Sequence, residues 1–372
     1  MPVKRRDTIA FTVVVTVLVV LGAAGMLLVL ALSGAPRTLV LATVLATVPV
    51  GPLIVCYMWL DRYEPEPRRL LAAGLLWGGC VATAAAILLG IGGFVVGVDD
   101  DFSLAIGAPF TEEATKGLFL LLLLWWRRAE LDGVLDGIVY AGMIGIGFAY
   151  VENILYLAAA YNGTDGTGPG GTTALTATFV VRCLFSPFAH PFFTTFTGIG
   201  VGIAVASRSR TRRFLAPLVG YLCAVAAHAI WNASTLFGGR NFVLVYLVLM
   251  APAFLGAVGF AVWARRSESR MLAASLSDAA NRGFIPATDI GWVVDLGARR
   301  QSRQFARAMG GEEGLEAMRD YQQAVVELGF LHSRYLRGTP PPDFAERGHE
   351  YVAQIAQVRP FIAFPGQVVP QR

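Results

Sequence analysis

Through its first two-thirds this chain neither alternates apolar and polar residues nor repeats them on one face; apolar residues run on for twenty to thirty positions at a time. Eight such runs can be drawn, at 8–32, 38–60, 70–98, 104–126, 134–160, 174–206, 214–237 and 240–264. At 1.5 Å per residue each is long enough to cross a hydrocarbon core of roughly 30 Å. The pattern predicts an all-α fold, a polytopic membrane bundle of about eight transmembrane helices. From Arg265 the pattern changes, and no later stretch is long and apolar enough to span. RRQSRQFARAM, EEGLEAMRDYQQAVVELGFLHSRYL and DFAERGHEYVAQIAQV instead carry one apolar face at helical spacing. Gly310, Gly311 and the GTPPP stretch at 338–342 punctuate them. The expected organisation is a cytoplasmic N-terminus (1–7), a transmembrane domain (8–264) with its polar site within 104–237, and a cytoplasmic helical tail (265–372) that is a candidate for regulation.

The loops give an orientation. With the N-terminus inside, the inner loops DRYEPEPRR, RRAELDG and SRSRTRR carry three, two and four arginines. The outer loops SGAPR, GVDDD, YNGTDGTGPGGTT and FGGR carry two in all. Basic residues collect on the cytoplasmic side, so both termini are expected on that side. The first run follows Lys4, Arg5 and Arg6, exceeds a signal-peptide core and lacks a convincing small-residue cleavage site, so an uncleaved first span is expected.

Composition agrees: 55% of residues are hydrophobic and 15% charged. The net charge of +4 calls for no nucleic-acid partner, since the arginines flank membrane segments. Cys56, Cys80, Cys183 and Cys223 all lie in apolar runs without a CxxC pair, and are expected to be reduced, buried thiols that pack as small hydrophobes. His332 and His349, in the tail, are expected to be solvated.

Charge inside hydrocarbon is unfavourable, by roughly 2.5–3.5 kcal/mol per residue on insertion scales. The run APFTEEATKGLFLLLLL nevertheless holds Glu112, Glu113 and Lys116, the last being the only lysine after the N-terminus. The fifth run has Glu152 and Asn153, the sixth Arg182 and His190, and the seventh His228 and Asn232; the interiors of the first three have no ionisable group. Counted from the expected outer ends, Glu113, Glu152 and His228 fall at roughly 12–13 Å depth. His190 joins them at roughly 14–17 Å if the sixth helix starts near residues 179–181. Pro187 and Pro191 bracket His190 and are expected to bend that helix. Lys116 is within reach of both glutamates along the helix and is expected to hold a carboxylate. Taken singly, these groups read as an intramembrane ion pair, interhelical hydrogen bonds, two core histidines and an arginine that positions a carboxylate or snorkels. Occurring at one depth in four consecutive spans, they read as one polar chamber.

The series EExxK (Glu112, Glu113, Lys116), FxxxEN (Phe148, Glu152, Asn153), a proline-flanked histidine (His190) and HxxxN (His228, Asn232) resembles the PrsW family of bacterial intramembrane proteases. DRYEPEP, at 61–67, is similar to that family too, and the resemblance covers about residues 38–264. It implies membership of the wider superfamily that includes CAAX prenyl proteases, which show a histidine where Glu152 stands here. The implied activity is cleavage, within the bilayer, of a membrane-anchored protein of the anti-sigma-factor kind.

Two mechanisms fit. In one, Glu112 or Glu113 takes a proton from water while His190 or His228 and Asn232 stabilise the oxyanion, with Glu152 orienting a histidine or sharing the base role. In the other, His190, His228 and Glu152 hold zinc, although no HExxH motif is present. Asn153 and Arg182 support the site in either case. The expected partners are the substrate, the lipid bilayer and a cytoplasmic regulator acting on the tail. A proton-coupled transporter is disfavoured because the polar groups form one layer rather than a path, and a non-catalytic receptor or scaffold would tolerate isosteric replacement at Glu112 and His228.

Overall fold

A helix satisfies its own backbone hydrogen bonds, which is what hydrocarbon demands, and among the described residues of the computed structural model the regular structure is helical, with no strands. The described residues are 2–33, 35–164 and 169–367, with side chains from Thr8 onward. The side chains of the segment 1–7, residues 165–168 of the loop after the fifth run, and the last five residues of the tail lie outside the described set. The chain divides into two compact units, Met1–Asp61 with Glu66–Ala261, and Arg62–Pro65 with Val262–Arg372.

The long helices are α1 (Pro2–Ser33), α2 (Pro36–Leu60), α3 (Arg68–Val95), α4 (Ala108–Trp126), α5 (Val134–Asn162), α6 (Thr172–Ala206), α7 (Arg210–Leu236) and α8 (Gly239–Asn281). Seven are long and apolar enough to cross a membrane. The eighth expected span is α4, whose 19 residues include Glu112, Glu113 and Lys116. The chain is thus a polytopic helical membrane bundle.

Within the first unit α5 is the central helix. Its most apolar window is 83% buried, against 17% for α2 and α7 and 6% for α8. Apolar residues on the outer helices face lipid rather than a core, and this corrects the expectation for the cysteines. Cys183 alone is buried, Cys80 is half-buried, and Cys56 and Cys223 are exposed on the bundle surface; all four are free thiols.

Helix α6 is interrupted where the prolines predict. A wide turn at Val180–Phe185 closes with the Ser186 N–H donating to Val181 O at 2.9 Å. Pro187 follows and has no N–H to continue the ladder. Regular helix resumes at Ala189, which puts His190 and Pro191 in a first turn, where proline is tolerated. Across from them α5 carries Gly145: a Cβ built there would stand 2.5 Å from Pro191 Cα. Gly145→Ala is therefore expected to push the His190 turn away from α5 and destabilise the fold by about 1–3 kcal/mol, read as an earlier thermal unfolding midpoint in detergent. Gly198 likewise packs within the chain, against the backbone of Gly137.

Of the DRYEPEP loop, Asp61, Glu66 and Pro67 belong to this unit, and Arg62–Pro65 to the second. Asp61 Oδ2 accepts from the Glu66 N–H at 2.8 Å, and Glu66 Oε2 accepts from the Tyr140 hydroxyl of α5 at 2.6 Å. Both carboxyls are buried. Burial pushes Asp61 up to about 7 and Glu66 well above the usual carboxylate range.

The second unit contains the helices α9 (Leu296–Leu336) and α10 (Phe344–Val358). α9 kinks at the expected glycines, where Gly311 takes φ +63°, a conformation that favours glycine. Leu272, Met318, Tyr321, Phe330 and Phe364 belong to its core. His349 is exposed, as expected. His332 is not: it is 5% exposed, with Nε2 at 2.6 Å from Asp278 Oδ2. The apolar face of α9 turns it inward, and the nearby carboxylate satisfies it there.

Candidate active site

Four helices of the first unit converge on one cluster. From α4 come Glu112 and the fully buried Glu113 and Lys116. The lysine Nζ lies 2.8 Å from Glu113 Oε1, 3.3 Å from Glu112 Oε2 and 3.0 Å from His190 Nδ1. It also sits 3.7 Å above the centre of the Phe148 ring of α5. One ammonium thus meets two carboxylates, an imidazole and an aromatic face, so its three N–H donors are used and its charge is compensated.

Glu113 is the more fully engaged of the two glutamates. Its Oε1 accepts from Lys116 and lies 3.0 Å from His228 Nδ1, and its Oε2 accepts from the Thr194 hydroxyl of α6 at 3.0 Å. A carboxylate at Nδ1 fixes that nitrogen as the N–H. The other ring nitrogen, His228 Nε2, then presents its lone pair 3.9 Å from Glu112 Oε2. Phe193 stacks on the His228 ring at 4.8 Å and holds its plane. Glu112 is bonded through Oε2 only; its side chain keeps 11% exposure against 0% for Glu113.

On the far side of His190, Nε2 lies 2.6 Å from Glu152 Oε2. Arg182 binds the same Glu152 oxygen, donates from Nε to Asn153 Oδ1 at 2.8 Å, and lies over the Tyr156 ring. It is the arginine that positions a carboxylate. The His190 and His228 rings are perpendicular with centroids 5.2 Å apart. A small cleft lined by Asn153, Arg182, Ser186, Pro187, His190 and Trp231 opens beside His190, where the break in α6 leaves room.

Asn232 is held elsewhere: its amide donates to Leu104 O at 3.0 Å and ties α7 to the turn before α4. Sequence reasoning passed over Thr194. Its one signal was the spacing of four from His190, which puts both on one face of α6.

The geometry also bears on a metal. Glu112, His190 and His228 each offer one ligand atom, all within 4.8 Å of one another. Glu152, placed by sequence in the ligand set, lies outside this trio and is taken up by Arg182 and His190. Two imidazoles and a carboxylate suit zinc, and Glu113 on His228 Nδ1 is the outer carboxylate that metal-binding histidines ordinarily have. The donor set therefore fits a zinc-type ion, with His190 yielding one of its two present contacts to bind it.

The model of the PrsW family intramembrane metalloprotease matches residues 66–257, just over half of the chain and the whole of this cluster. The chain belongs to the PrsW family. It is 29% identical over 125 residues to Protease PrsW of Bacillus subtilis (strain 168), covering 31% of this chain and 54% of that protein. It is also 29% identical over 157 residues to Protease PrsW of Geobacillus kaustophilus (strain HTA426), covering 41% and 62%. The chain thus spans between about half and three-fifths of the length of these curated relatives. No solved structure matches it. Every PrsW motif residue named from sequence, from Glu112 to Asn232, falls inside the matched segment, whereas the second unit beyond Val262 falls outside it.

Proposed function

We propose that this PrsW-family chain is an intramembrane endopeptidase that hydrolyses a peptide bond in a membrane-anchored protein of the anti-sigma-factor kind. One observation carries the reading: Glu112, Glu113, Lys116, Glu152, His190 and His228, from four helices, form a continuous hydrogen-bonded cluster in an otherwise apolar bundle. The arginine-rich loops on one side support a multi-pass placement in a bacterial inner membrane with both termini cytoplasmic. That puts the cluster nearer the outer face, where the substrate would be cut. The second unit, outside the family match, would be where a cytoplasmic regulator acts.

The residues divide the work. Glu112 Oε1, which has no partner among the described residues, takes the proton of the attacking water. Glu112 passes that proton to His228 Nε2, 3.9 Å from its Oε2, and the resulting N–H donates to the developing oxyanion and then gives its proton to the leaving amine as the C–N bond breaks. Glu113 keeps His228 in that tautomer, and Thr194 and Lys116 keep Glu113 in place. Arg182 and Glu152 orient His190 at the cleft. A zinc-type ion held by Glu112, His190 and His228 would supply Lewis-acid polarisation at the same place, a second reading favoured by that trio's spacing.

The test is cleavage of a co-expressed single-span substrate by wild type, His190→Ala and His228→Ala. Both variants are expected to lose cleavage while still accumulating in the membrane. Normal cleavage by both sinks the protease reading. Metal analysis of purified protein, with and without chelator, separates the mechanisms: about one zinc per chain and chelator-sensitive cleavage select the metal-bound form, and undiminished cleavage by metal-free protein selects the glutamate form.

A further inference from the structure

A second feature of the first unit lies away from the cluster, between the C-terminal half of α6 and the N-terminal half of α7. A groove of about 370 Å³ runs there, walled by Phe196, Ile199, Ile203, Leu215 and Val219. Its floor is the place where the two helices touch backbone to backbone: a Cβ on Gly200 would overlap Ala216 O, and one on Gly220 would overlap Phe196 O. The lining runs along α7 from Thr211 to Cys223, roughly 18 Å at 1.5 Å per residue. One leaflet of hydrocarbon is about 15 Å deep, so the groove is one leaflet long and opens sideways.

Its mouth is cationic. Arg212 lines it, and Arg210 and Arg213 are exposed on the same turn of α7. None of these three has an ion pair among the described residues; the Arg213 Nε donates to Ser207 O at 2.8 Å. No Asp or Glu occurs in sequence between Asp165 and Glu268. Apolar walls facing lipid are ordinary in a membrane protein, but a concave apolar slot one leaflet long, ending at Arg212 with two more arginines on the same helical turn and no described ion pair on any of the three, is complementary to one molecule class. We propose that the groove binds an anionic phospholipid, with one acyl chain against Ile203, Leu215 and Val219 and the phosphate held by Arg210, Arg212 and Arg213. Guanidinium groups recognise phosphate oxygens through paired N–H donors, and basic pockets between transmembrane helices select anionic headgroups. The inference does not depend on the protease reading, and it holds for either orientation.

The experiment uses the full-length protein in mild detergent, stripped of lipid and then offered phosphatidylglycerol or phosphatidylcholine of identical chains, with retained lipid counted by native mass spectrometry. Wild type is expected to keep phosphatidylglycerol at least about tenfold better, from roughly fivefold per engaged arginine. Replacing the three arginines by glutamine is expected to remove that preference. Val219→Trp and, on the opposite wall, Ile203→Trp fill the groove from exposed positions and are each expected to cut retention severalfold with unchanged helicity. Glycerol 3-phosphate alone is expected not to compete. Equal retention of the two lipids by wild type, undiminished retention in both tryptophan variants, or full competition by glycerol 3-phosphate each overturns the proposal. So does a photo-crosslinker at Val219 that captures a single-span substrate peptide in preference to phospholipid.

Discussion

Glu112→Gln is expected to lower cleavage of a co-expressed single-span substrate by roughly a hundred- to ten-thousandfold, the usual contribution of a positioned general base, with thermal unfolding little changed. The amide keeps an oxygen for Lys116, so the fold loses little, but it has no basic site for a proton. Glu113→Gln is expected to cost about tenfold, because its role is to hold His228. A glutamine retains one oxygen for Lys116 and His228, and its amide can donate to the Thr194 hydroxyl; what it loses is the charge that makes those bonds roughly twice as strong as neutral ones. The measurement is the rate of substrate disappearance in cells carrying equal amounts of each variant, scored by immunoblot. A Glu112→Gln protein that cleaves normally beside a silent Glu113→Gln protein would reverse the two assignments.

That division of labour was not legible in the sequence, although the pair was. Adjacent glutamates on a helix point about 100° apart, and nothing local says which one faces the cleft and which faces α6 and α7. The chamber itself was legible, because each of its members breaks a strong rule. Ionisable residues are rare in hydrocarbon, and Glu152, His190 and His228 fall at nearly one depth when helical rise is counted from the loops. Arg182 and Lys116 were readable as holders of carboxylates for the same reason. Thr194 broke no rule, since a threonine in a membrane helix is commonplace, and it surfaced only when α6 was set against α4. Asn232 belongs to the HxxxN pattern, yet its amide reaches Leu104 O, a backbone partner that no side-chain pattern reveals. Exposure failed for a different reason. In a membrane bundle apolar character marks lipid-facing and core positions alike, so Cys56 and Cys223 looked buried, whereas in the soluble-type core of the second unit the buried His332 looked exposed.

Lys116→Met is expected to have the largest effect on stability, a loss of about 3–5 kcal/mol, the usual result of removing one partner from a buried ion pair. Lys116 is fully buried, and its Nζ is the cation nearest both Glu112 and Glu113. Methionine nearly matches its volume, so the loss comes from two carboxylates left facing each other without a counter-ion rather than from a cavity. The check is a double-variant cycle read by thermal unfolding in detergent: Lys116→Met with Glu113→Gln is expected to recover much of the stability lost by Lys116→Met alone, because it removes one of the stranded charges. A loss below about 1 kcal/mol would be the value of a solvated surface pair, and would mean that water already compensates the carboxylates. Activity then separates fold from function. Lys116 Nζ also lies 3.0 Å from His190 Nδ1, so the stabilised double variant is expected to accumulate normally and still cleave more slowly than Glu113→Gln alone. Cleavage by that variant equal to that of Glu113→Gln alone would show that the lysine serves the fold alone and that His190 needs no partner on its α4 side.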